Sequence, residues 1–452
     1  MMVCGRDDFV MTTSTNTERL RQENLKRAEE IRNKSDKTPA QLYEEREKRV
    51  RDAIQLREPD RVPVRLETHS FPARYAGIPI AANYYDPAAW REATKKTILD
   101  FEPDVYQANV GANSGETLEL LDPKHLKWPG GALPPDVSHQ AIEQEYMKAE
   151  EYDLFLDDPT DFMLRYLLPR GYGGLTPLAT LPYLADRFAA IPGMTPTFTR
   201  AEFQGLARTL LKAGQAQAKS EGITANFDEE MALLGFPQAS HGGGAGGAPF
   251  DLLSDRYRGM RGAMLDMYRC PDKLLAACDR ILRWRKAAAR PADPAKRGNP
   301  KRVFAALHRG AEGFMSRKQY ERFYWPGLKQ ALLCTIEMGI VPIIFCEGHF
   351  GDRLEYFLEL PKGKVICLFD LTDMFRAKDV LRDHVCIAGN VPSSLLQVGS
   401  AQDVEEYCAK LIKVCGKGGG FILSAGSSID EAKPANIKAL VDSPRKYAVN
   451  PI

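Results

Sequence analysis

Apolar and polar positions alternate in blocks along much of the chain, most clearly from residue 301 onward. There "VFAALHRG" precedes helical-period "SRKQYERFYWPGLKQALLCTIEMG", and "VPIIFCEGH" precedes "GDRLEYFLELP". "KVICLFDLTD" leads to "FRAKDVLRD", "VCIAGNVP" to "SAQDVEEYCAKLIKVCG", and "GFILSAGSSID" to "PANIKALV". Short continuous apolar runs predict buried strands, and the stripes between them predict amphipathic helices. Strand followed by helix, repeated every roughly 20 to 40 residues, predicts a parallel sheet covered by helices. Upstream, Val62 to Leu66 and "VYQANVG" predict two further strands, with the helix "DPAAWREATKKTILDFEPD" between them.

Residues 122 to 260 are rich in Pro and Gly and show no clear alternation of strand and helix. "SHGGGAGGAPFD" predicts a flexible loop; it lacks the GK[ST] of a phosphate loop and does not follow a clean strand. The expected fold is therefore α/β, a (β/α)8 TIM-type barrel with an N-terminal helical arm and insertions, which 452 residues accommodate. The rival, a doubly wound open sheet, is weakened by the missing Gly-rich dinucleotide turn. The barrel spans 57–452 and the extension 1–56. In the extension, "TERLRQENLKRAEEIRNK" has only Leu20, Leu25, Ala28 and Ile31 for a buried side. It predicts an exposed helical arm, available to a second copy in a homodimer, or partial disorder. Met11 offers a second start, so residues 1 to 10 are expected to be dispensable.

Charge narrows the partners. The 61 Lys+Arg and 60 Asp+Glu nearly cancel, and no block of five or six like charges stands out. Neither nucleic acid nor an anionic membrane is favoured. No apolar run nears the roughly 18 residues of a membrane span, and the start "MMVCGRDDFVM" has no long apolar core for a secretory signal. Nine cysteines without a CxxC pair, two of them (Cys367 and Cys386) inside apolar strand-like runs, predict reduced thiols in a cytoplasmic protein.

The candidate chemistry sits where strands end. His308 and Arg309, then Cys346, Glu347 and His349, then Asp370, Thr372 and Asp373, then Asn390, then Ser424, Ser427 and Asp430 follow successive strands. Glu67 and His69 follow the first predicted strand and Asn109 the second. Barrel enzymes draw their catalytic groups from several strand ends on one face. Each residue also has a plainer use. Asp370 and Asp373 suit helix caps, Asn390 a turn, and Ser427 and Asp430 the start of the last helix. His349 suits solvent and Cys346, alternating with Glu347, suits packing. Glu347, directly after "IIF", is expected to lie near the core and to need a cation or donors.

"EMGIVPIIFCEGHFGDRLEYF", "VCIAGNVPSSLLQVGSAQDVEEY" and "GGGFILSAGSSIDEAKPANIKAL" resemble the uroporphyrinogen decarboxylase superfamily, and in particular its corrinoid (methylcobamide-type) methyltransferase branch. "REPDRVPV" is similar to the usual start of that domain. The tetrapyrrole decarboxylases carry an arginine-rich motif after the first strand, where this chain has Leu66, Glu67, Thr68 and His69. The zinc methyltransferases carry His-x-Cys after the strand matching "PIIF" and a late Cys; those positions are Phe345, Glu347 and Ser427 here. The resemblance thus implies a methyltransferase component with its thiolates replaced by a harder site. Glu347, His349 and His308 would hold Zn2+, and Glu347, Asp370 and His308 would be catalytic. Glu67, His69, Asn109, Arg309, Asp373, Asn390 and Ser427 would bind a small methylated substrate, with a corrinoid (cobalamin) carried by a partner protein. The alternatives are a cofactor-free carboxy-lyase using Glu67, Asp370 and Glu347, and a noncatalytic corrinoid- or tetrapyrrole-binding protein.

Overall fold

The computed structural model of the protein describes residues 36–110, 114–183 and 188–447, with scattered positions between 22 and 33. Strands β1 (Arg65–Glu67) and β2 (Val105–Gln107) pair in parallel. The connection after β2 carries a short hairpin, β3 (Leu126–Lys127) with β4 (Gln140–Ala141), and the long helix Ala201–Thr224. It then returns as an extended segment, 237–241. The rest of the sheet is β5 (Lys301–Leu307), β6 (Ile340–Cys346), β7 (Ile366–Phe369), β8 (Cys386–Val391) and β9 (Phe421–Ala425), all parallel and in chain order.

Three backbone links close these pieces into a ring. Tyr106 bridges to Gln238 in parallel, the His241 amide donates to the Arg302 carbonyl at 2.7 Å, and Val64 bridges in parallel to Leu423. The ring is an eight-stranded (β/α)8 barrel in which 237–241 is the third strand. No apolar run marks this segment, of which only Ala239 joins the interior cluster.

Alternation along each strand fixes what faces inward. Val341, Ile343 and Phe345 join the interior cluster with Ile366, Leu368 and Ala388, while Ile344 and Cys346 pack outward against the helices. Glu347 therefore continues the inward row at the C-terminal end of β6, and Cys346 is packing.

Of the extension 1–56, read as a helical arm or partly disordered, the segment 17–34 lies largely outside the described residues, and the described helix is Pro39–Ile54, opened by a reciprocal cap between Thr38 and Gln41. It is no exposed arm over that stretch. Val50, Ala53 and Ile54 plug the N-terminal end of the barrel interior. Glu47 forms a two-pronged ion pair with Arg302 of β5, at 2.6 and 3.0 Å, with both side chains buried. Residues 1 to 10 lie outside the described positions.

"SHGGGAGGAPFD" is also different from the flexible loop expected. The Ala245 amide donates to Thr335 Oγ1 at 3.0 Å, and Ala245 and Ala248 are buried. At Gly244, φ is +78° and a Cβ would stand 2.8 Å from the Thr335 side chain. Only glycine lets the backbone pass so close to that helix. Among the described residues the eight cysteines are unpaired, and no helix is long and apolar enough to cross a membrane.

Candidate functional site

The C-terminal ends of the strands carry two separate polar clusters. The first is built on β5 and β6. After the glycine segment, Pro249–Leu253 is helical and passes into a wider turn, Ser254–Arg258, that widens the helix locally. Asp251 and Asp255, four residues apart, meet the end of β5 from there. Buried Asp251 accepts the amides of His308 (3.0 Å) and Arg309 (2.9 Å) and the Tyr324 hydroxyl (2.6 Å). Burial pushes its carboxyl up to about 6 against the pull of those donors.

Asp255 takes His308 Nδ1 at 2.6 Å and Arg309 Nη2 at 3.1 Å. The bond to Asp255 raises the His308 pKa, opposed by burial. With Nδ1 occupied, Nε2 is the free face of the ring, and it stands 3.8 Å from Glu347 Oε2. Both side chains open to the barrel mouth, His308 38% and Glu347 54% exposed. Glu347 was expected near the core; the inward row has already left it at this height, so it reaches the mouth. Neither aspartate was picked out from sequence, although "FDLLSDR" places them on one helical face.

The other expected residues divide. Asp370 is half-buried at the end of β7, accepts the Gly348 amide at 3.2 Å, and has its pKa raised by burial. It caps no helix. His349 is exposed and does not join His308 and Glu347, and no group of three or more His, Cys, Asp or Glu among the described residues is spaced to hold a metal. Asn390 spends its amide on the carbonyls of Asp370 and Thr372, each 2.9 Å away, and its oxygen accepts from Tyr407 at 3.1 Å. It holds the loop that carries Asp370. Asp373 caps the helix Met374–Leu381 through the amides of Phe375 (2.8 Å) and Arg376 (3.2 Å). Ser427 bonds Ser393 at 2.7 Å, tying the loops after β8 and β9, and the last helix starts only at Pro434. Arg309 is committed to Asp255 and Ser254.

The second cluster lies across the mouth, on the β1–β2–β9 side. Glu67 is held by Arg65 at 2.9 Å. His69 Nδ1 bonds Asp430, which also accepts from Ser70 and, at 3.2 Å, from Ser138. The bond to Asp430 raises the His69 pKa. Burial alone would raise Asp430, but the bonds from His69 and Ser70 outweigh it and hold it down to about 2. His69 and Asn109 line a small cavity of about 190 Å3 together with His139. A larger cavity, about 620 Å3, lies beside β2 and the third strand and touches none of the residues expected from sequence.

The His69–Asp430 pair sets a pH window for stability. Asp430 contributes above the ordinary carboxylate value of about 3.9, and its share is lost as pH falls through about 2. His69 contributes below about 6.5, and its share is lost as pH rises through its raised pKa. The stability gap between wild type and Asp430→Asn, from denaturation midpoints, is expected to peak between about pH 4 and 6.5. A gap that does not vary with pH would contradict the pairing.

Comparison with known proteins agrees with this architecture. Residues 237–447 match the family described as uroporphyrinogen decarboxylase (URO-D). The uroporphyrinogen decarboxylase of Syntrophotalea carbinolica is 28% identical over 131 residues, which is 29% of this chain and 37% of that protein. The match thus spans little more than a third of that relative's length. A solved methyltransferase from Methanosarcina mazei superposes with a TM-score of 0.52 at 15% identity, covering 89% of this chain and 98% of that one. The glycine segment, the His308 and Glu347 strand ends and the Asn390 loop all fall inside 237–447, the stretch that resembles that family.

Proposed function

We propose that the chain is the methyltransferase component of a corrinoid-dependent system, passing a methyl group from a small methylated donor, such as a methyl ether, to a corrinoid-carrying partner protein. The observation that carries this reading is the Asp255–His308–Glu347 row. A carboxylate behind Nδ1 fixes the tautomer that leaves Nε2 free, and it is the usual support of a metal-bound histidine. Nε2 and Oε2 at 3.8 Å are spaced as two ligands of one divalent ion, each about 2.0–2.2 Å from it, would be. The pair supplies two ligands of types that zinc accepts; a third protein ligand is not assembled beside it among the described residues. When bound, such an ion would polarise the leaving oxygen as a Lewis acid.

The chain's own groups then have distinct tasks. Asp251 fixes the backbone of His308, Asp255 fixes its ring, and Asn390 fixes the loop of Asp370. Protein prepared with added zinc is expected to hold about one ion per chain, and His308→Ala to lose it. Elemental analysis checks this: equal metal in wild type and variant moves the ligands elsewhere, and active protein with little metal removes the ion from the proposal.

A carboxy-lyase is the second reading, favoured by the family match. Against it, the arginines beside the site, Arg65 and Arg309, are already paired with Glu67 and Asp255. Carbon dioxide release without methyl transfer would establish the lyase instead.

A further inference from the structure

The small cavity beside His69 has the make-up of a ligand pocket. Its volume, about 190 Å3, compares with about 150 Å3 for a protein cavity that accepts benzene. Ile80, Tyr84, Trp90, Leu126 and Pro129 supply apolar walls. No lysine, arginine or carboxylate is among the lining residues, so a strongly charged ligand finds no counter-charge there. The polar groups are few and convergent, as in small-molecule sites.

Two of them lack partners among the described residues. Asn83 Oδ1 is buried and accepts no hydrogen bond. His69 uses Nδ1 for Asp430, and the other ring nitrogen, Nε2, has no hydrogen-bond partner. A buried acceptor left unsatisfied costs free energy that a ligand O–H or N–H recovers. The His139 ring stands 5.5 Å from that of His69, and burial, then the nearby His69, lower its pKa.

We infer that this pocket is a recognition site for a single-ring phenol, its hydroxyl bonded to Nε2 of His69, with room for a second O–H or N–H donor on the ring to reach Asn83 Oδ1. The inference rests on the methyl-transfer reading only where it names a methoxyphenol as the methyl donor; the binding itself does not depend on that reaction. Asp430 makes His69 a fixed partner rather than a rotating one. A site that hydrogen-bonds a hydroxyl also discriminates against the analogue lacking it.

Calorimetric titration of the full chain with phenol and with toluene, nearly equal in size, tests this. Phenol is expected to bind saturably to one site, at least about tenfold tighter than toluene, and about tenfold weaker to His69→Gln. Leu126→Trp, which fills the pocket, should abolish binding. The His69 imidazole resonances of the wild-type chain should shift on adding phenol, a readout that needs no variant to fold. No saturable binding and no shift, or equal affinity for phenol and toluene, would overturn the assignment. Phenol binding without methyl transfer from 2-methoxyphenol would leave the pocket standing and count against the methyltransferase reading. Methyl transfer from 2-methoxyphenol undiminished in Leu126→Trp would overturn the pocket alone.

Discussion

Replacing His308 with Ala is expected to lower methyl transfer by ~10²-fold or more while the fold and melting temperature stay near wild type. The side chain is more than a third exposed, so its removal opens no core cavity. What is lost is the one imidazole nitrogen aimed at Glu347 and held there by Asp255. Glu347→Gln should behave alike, because the amide keeps the shape but loses the charge. Asp255→Asn should fall between, at roughly 10–100-fold, since it loosens the ring without deleting it. Activity within about threefold of wild type in all three would leave the row without a catalytic role.

The largest stability effect is expected at the other end of the barrel. Glu47→Ala should destabilise the protein by about 3–5 kcal/mol, because it strands a buried guanidinium. Arg302 and Glu47 are 1% and 2% exposed, and Arg302 also donates to the carbonyls of Ala239 and Gln238. One substitution therefore loosens the plug helix, β5 and the third strand together. The double variant Glu47→Leu/Arg302→Met should regain part of the loss, as apolar replacements of buried pairs often do. Urea midpoints of the three variants check this. A single-variant loss below about 1 kcal/mol would mean that the pair is hydrated in solution.

Both effects bear on what the sequence could reveal. β5 to β9 were legible because each is a short apolar run followed by a helix, and the inward row of β6 led directly to Glu347. The third strand was not, since its outward Gln238 and Ser240 are polar and only Ala239 meets the interior. The plug helix is not legible in the sequence because its charged residues give it no wide apolar stripe, and the buried partner of Glu47, Arg302, lies far along the chain. At the site, Asp373, Asn390 and Glu347 are equally polar strand ends. The first caps a helix, the second braces a loop, and only the third faces the mouth beside an imidazole. Residue type at a strand end does not separate these uses; the backbone path after the strand does. Asp251 and Asp255 were hidden for a related reason, lying in the Pro- and Gly-rich part of the chain where strand and helix periods are least regular.

The central claim is methyl transfer at the His308–Glu347 end of the barrel. Its most direct test mixes the full chain, loaded with zinc, with a cob(I)alamin-carrying corrinoid protein and 2-methoxyphenol, without oxygen. The absorbance change from cob(I)alamin to methylcob(III)alamin is then followed. Donor-dependent conversion by the wild-type chain, slowed ~10²-fold in His308→Ala, is the predicted result. Conversion at the same rate in His308→Ala, or no faster than without the chain, would contradict it.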